Sequence, residues 1–151
     1  MYFFNKRIIP LLGVVLLIGC HQNRQVSDSK EIFLSMERTP CLGTCPHYKF
    51  TIFDNKEVLY EGRNFIEPKD TLTFILNDSV FSLIQQKVNV LKIFELADTY
   101  HNPPMLDVPG VLLYFKKGEK TKTIQDITGA PVQLKAFEKF LDRTLFGEMK
   151  E

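Results

Sequence analysis

Apolar residues alternate with polar ones along one short stretch after another, and this period of two restricts the chain to a sheet-based fold. Ile32, Leu34 and Met36 fall on one side of a strand, with Ser35 and Glu37 on the other. Tyr48, Phe50 and Ile52 alternate with Lys49 and Thr51. Asp54-Asn55-Lys56 then supplies turn chemistry ahead of Val58-Leu59-Tyr60-Glu61-Gly62, so a hairpin is expected. Leu72, Phe74 and Leu76 alternate with Thr71 and Thr73, and Val111 to Lys116 and Lys122 to Ile127 flank Lys117-Gly118-Glu119 as a second hairpin. Two segments change to helical spacing. One carries Phe81, Ile84, Val88 and Leu91, with Asp78 or Ser79 able to cap it; the other carries Leu134, Phe137, Leu141 and Leu145, with Pro131 in the first turn. The order β-β-β-β-α-β-β-α places the chain in the α+β class. It predicts an antiparallel sheet of about six strands with two helices packed on one face. Residues 98–110 include Pro103, Pro104 and Pro109 and are expected to form a loop. Thirteen Phe and no Trp point to a core of Phe, Leu and Ile.

The N-terminus has a different pattern. Lys6 and Arg7 precede an uncharged run from Ile8 to Ile18, too short for a membrane-spanning helix, which needs about 20 apolar residues. The run closes on Leu17-Ile18-Gly19-Cys20, which resembles the lipobox of bacterial lipoproteins. The resemblance implies cleavage before Cys20, acylation of that cysteine, and an envelope location with the chain held on a membrane by lipid. His21 stands where aspartate is associated with inner-membrane retention, which points to the outer membrane. Residues 1–19 are then a signal peptide, 20–30 a polar tether and 31–147 a single domain. Removing residues 1–19 takes Lys6 and Arg7 from 19 cations and leaves 17 against 18 anions. That balance gives no reason to expect nucleic-acid binding.

With Cys20 carrying lipid, Cys41 and Cys45 remain, inside Pro40-Cys41-Leu42-Gly43-Thr44-Cys45-Pro46-His47. In an oxidising compartment the default is a disulfide, a staple between the first two strands, with Gly43 expected to supply the backbone freedom the short loop needs. A redox couple is a second reading. A third is Cu(I) held by Cys41, Cys45 and His47, with Met105 from the proline-rich loop. The Cys-x3-Cys-Pro string resembles that of Sco-type copper chaperones over these few residues.

The longer string Glu37-Arg38-Thr39-Pro40-Cys41-Leu42-Gly43-Thr44-Cys45-Pro46-His47-Tyr48, followed by Tyr60-Glu61-Gly62, has an E-R-x-x-C-x-G-x-C-P-x-Y core. It resembles a family of bacterial exported domains of unknown function. The likeness continues through Asp126, Gly129-Ala130-Pro131 and Leu134 and covers roughly residues 31 to 142. It implies domain boundaries and export, and no activity.

Arg38 is expected to pair with Asp107 or Asp126, as a ligand-binding or structural polar cluster. No spacing identifies a catalytic pair, a phosphate loop or a dinucleotide fingerprint, and no cofactor or catalytic residue is implied. The expected function is a non-enzymatic binding or assembly module of the envelope with a protein partner. A thiol-redox or copper-handling protein built on Cys41 and Cys45 is the alternative.

Overall fold

The alternating segments form one seven-stranded sheet in a computed structural model, described over residues 30–104 and 107–150. Its strands are β1 (Ile32–Arg38), β2 (His47–Phe53), β3 (Glu57–Asn64), β4 (Thr71–Ile75), β5 (Thr99–His101), β6 (Val111–Lys117) and β7 (Lys120–Thr128), in the order β4-β3-β2-β1-β6-β7-β5. Helix α1 (Asp78–Val90) carries the chain from β4 at one edge to β5 at the other, and α2 (Val132–Glu148) follows β7. The α+β class and the two helices stand as the sequence predicts. Among the described residues no helix is long and apolar enough to cross a membrane. Cys20, the apolar segment before it and Met105 lie outside the described residues.

Register explains the core. Tyr60, Phe50, Met36, Leu113 and Ile124 are paired neighbours on β3, β2, β1, β6 and β7, so they form one lateral row across five strands. All five are fully buried. Ile84 and Val88 of α1 and Leu134, Phe137, Leu141 and Leu145 of α2 join the same cluster, which places both helices on one face. Burying each such side chain contributes about 1.5–3 kcal/mol. Phe146 of α2 meets Tyr48 and Phe50 edge-on, at 5.0 and 5.1 Å between ring centroids. The β1–β2 register slips between Ile32 and Leu34, and Phe33 meets Phe81 of α1 at 5.4 Å. Such a slip re-aims a side chain that strict alternation would send to the other face.

Three local expectations are corrected. Residues 98–110 are not all loop, because Thr99–His101 pairs in parallel with β7 as a seventh strand. At three residues, with only Tyr100 half-buried, it is too short to show a period. The cap of α1 is Asn77, whose side chain accepts from the Val80 N–H at 2.9 Å, rather than Asp78 or Ser79. Pro131 is the residue before α2, with extended ψ, and not part of its first turn.

Candidate functional site

One step along the strands from the apolar row lies a second row, Gly62, Tyr48, Arg38, Val111 and Asp126, on the same inner face and beside the Cys41–Cys45 loop. Its polar members are covered by α2, which presents Lys135, Glu138 and Asp142. Arg38 donates from Nη2 to Asp142 Oδ2 at 2.5 Å, and its Nη1 is 3.8 Å from Glu138 Oε2. The Tyr48 hydroxyl donates to the other oxygen of Asp142 at 2.7 Å. Lys135 Nζ lies against Asp126 Oδ2 and 3.6 Å from Glu138 Oε2. The cluster joins three strands to one helix.

Its electrostatics follow from burial. Asp126 and Glu138 are 0% and 1% exposed. Burial, with a hydrogen bond to the Asp126 carboxyl, pushes the Glu138 carboxyl up to about 7, against the opposing charges of Lys135 and Arg38. Burial also raises the Tyr48 hydroxyl, and the Asp142 charge raises it further. Neither carboxyl of the Asp126–Glu138 pair reaches solvent, so neither is placed to meet a substrate. The geometry clamps α2 to the sheet.

The loop between β1 and β2 sits over this end. Cys41 and Cys45 are joined as a disulfide, with Cα atoms 5.7 Å apart. Thr39 and Gly110 exchange two hydrogen bonds, N–H to carbonyl at 3.0 Å and N–H to Oγ1 at 2.8 Å. Leu42 donates its N–H to the Asp107 carboxylate and exposes 92% of its surface. Gly43 does not have a positive φ, and a Cβ there would make only an ordinary contact 3.7 Å from Cys41 Sγ. The loop therefore closes without the special backbone angles expected of that glycine. At Gly62 the requirement is steric, since a Cβ would fall 2.1 Å from the Pro68 carbonyl.

Of the three residues expected to cluster, Arg38 pairs with Asp142 and Glu138 rather than with Asp107 or Asp126; Asp126 lies against Lys135 on the other side of Glu138, and Asp107, in the segment before β6, accepts from Leu42 of the Cys loop. His47 is held on the opposite face, with Nε2 3.1 Å from Glu37 Oε1 and 3.0 Å from Arg63 Nη1. In the disulfide neither sulfur is a thiolate able to ligate copper beside it. Among the described residues no group of three or more His, Cys, Asp or Glu side chains is arranged to hold a metal ion.

Sequence reading missed Tyr48, Lys135, Glu138 and Asp142. For Glu138 a signal was present. It stands four residues after Leu134 and three before Leu141, inside the apolar stripe of α2, where an acid needs a buried partner.

A family model described as "Domain of unknown function (DUF6438)" matches residues 32–145, which include every member of the clamp and the disulfide loop. No curated protein matches the chain.

Proposed function

This chain belongs to the DUF6438 family, and we propose that it acts as an envelope lipoprotein, a non-enzymatic binding or assembly module held on a membrane by lipid on Cys20. The Leu17-Ile18-Gly19-Cys20 string supports the anchor. The observation that carries the non-enzymatic reading is the burial of Asp126 and Glu138, which spends the carboxyl pair on fastening α2. A disulfide at Cys41–Cys45 suits an exported chain. Strand β1 begins at Ile32 and leads to Arg38 and the Cys loop. Seven residues at about 3.3 Å each put that loop roughly 20 Å beyond the point where the tether joins. The Cys loop, with Leu42 uncovered, is the surface this reading assigns to a protein partner.

The anchor is tested by feeding cells an alkyne analogue of palmitate. Label is expected on the chain and lost in Cys20→Ser, which also frees the protein from the membrane fraction; an unlabelled chain overturns the anchor. Crosslinking in intact cells, followed by affinity capture, reads the partner. Free-thiol counting and Cu(I) titration decide the competing reading. A stably reduced pair whose copper binding disappears in Cys41→Ser/Cys45→Ser favours thiol or copper handling over a binding module.

A further inference from the structure

At the opposite end of the sheet from the Cys loop, α1 does not close over the strand ends. A cleft of about 320 Å³ remains there, walled by Phe33, Val88, Phe94 and Phe115. It continues into a second space of about 200 Å³ past Val88 and Phe94, bounded by Ile93 and Lys92. The register slip in β1 sets Phe33 toward α1. The one-turn 3-10 helix after α1 (Ile93–Glu95) brings Phe94 to the mouth, where 36% of it stays exposed. Gln85, Asn89, Lys116 and Lys117 complete the lining, so the cleft has an apolar wall facing a polar rim; its volume lies in the range of small-molecule sites, about 300–1,000 Å³.

The rim is cationic. Lys116 is matched by Glu31 at 2.9 Å and Lys92 by Glu95 at 3.6 Å. Lys117 is different. It donates to the neutral Asn89 amide at 3.3 Å and, among the described residues, pairs with no carboxylate. An ammonium without a counter-charge at the lip of an apolar cleft selects a ligand that is apolar along its length and anionic at one end. We propose that this cleft binds a single-chain anionic amphiphile of the fatty-acid class, its chain among Phe33, Val88, Phe94 and Phe115 and its head group on Lys117. This ligand assignment rests on the reading of the domain as a binding module.

The test is a calorimetric titration of dodecanoate, below its micelle concentration, into the full chain carrying Cys20→Ser. Saturable uptake of one molecule per chain is expected. Asn89→Trp, which fills the cleft from an exposed helix position, and Lys117→Glu, which reverses the head-group charge, should each weaken it by at least about tenfold. Their unfolding curves should match the parent. Dodecyltrimethylammonium should not compete. The proposal is overturned by absent saturation, by undiminished affinity in Asn89→Trp, or by equal competition from the cationic amphiphile. Phosphatidylglycerol vesicles, whose lipid carries two chains, should not bind the chain in a flotation assay; vesicle binding that is lost in Asn89→Trp would overturn the single-chain assignment. If dodecanoate fails to bind while a protein is still crosslinked through the Cys loop, the cleft falls and the binding module stands.

Discussion

The two ends of this sheet use charge in opposite ways. Beside the Cys loop, Arg38, Lys135 and Asp142 meet Asp126 and Glu138 where α2 covers the sheet, and the last two acids lose contact with water. At the end where the tether joins, the exposed Lys117 stands beside Phe94, 36% of which is uncovered. Sealed charges must be matched, and once matched they fix one position of a helix. An open charge beside apolar walls fixes nothing within the fold and is free to select a ligand. The same side-chain types serve architecture at one end and recognition at the other because burial differs.

The sharpest way to break this contrast is to remove a cation from the sealed end. Arg38→Ala leaves Asp142 and Glu138 without their guanidinium and should cost about 3 kcal/mol in urea unfolding, the low end of the range for breaking a buried pair, because Arg38 and Asp142 keep 24% and 22% of their side chains exposed. A loss near the surface-pair range of about 1 kcal/mol or less would mean that the clamp is solvated. Arg38→Lys should recover only part, since one ammonium cannot reach Asp142 and Glu138 at once as Nη2 and Nη1 do.

The clamp also predicts a pH dependence of definite sign. The folded Glu138 carboxyl titrates at about 7, above its ordinary value of 4.5. Between those values the folded chain holds a proton that the unfolded chain has released. Its contribution is therefore complete below about pH 4.5, falls as pH rises to about 7, and is flat beyond. Each tenfold change in proton affinity is worth about 1.4 kcal/mol, so the total is on the order of 3 kcal/mol. Denaturation midpoints of the parent and Glu138→Gln, compared from pH 4.5 to 8, should diverge by that amount. Parallel curves would show that Glu138 does not carry it. A smaller loss, about 2 kcal/mol, is expected for Cys41→Ser/Cys45→Ser, because the closed loop is short and restricts little of the unfolded chain.

The legibility of this molecule follows the same division. Period-two alternation revealed β1 to β4, β6 and β7, and helical spacing revealed α1 and α2, because each buries a regular stripe. β5 was hidden: three residues borrow their pairing from β7 and have no stripe of their own. Cys41 and Cys45 were readable as a pair from composition and compartment. Arg38 and Asp126 were singled out in the sequence, yet the residue that bridges them was not. Glu138 comes from a helix and stands one hundred residues after Arg38, and spacing along a chain does not reveal a lateral row across strands. The cleft was invisible for a related reason. It depends on a register slip that turns Phe33 and on where α1 stops, both products of tertiary packing.

The smallest expected effect tests the open end. Lys117→Glu reverses a charge, a larger electrostatic change than neutralising one, yet it should leave the urea midpoint unmoved. Among the described residues the ammonium has an amide partner at 3.3 Å and no carboxylate, and water solvates either charge. Removing Arg38, which loses one charge and adds none, should unfold the chain at far lower urea. If Lys117→Glu instead lowers the midpoint, Lys117 is part of the architecture and the two ends do not differ in kind. If the midpoint holds while dodecanoate binding drops, one substitution separates folding from recognition at that end, something no substitution within the clamp should do.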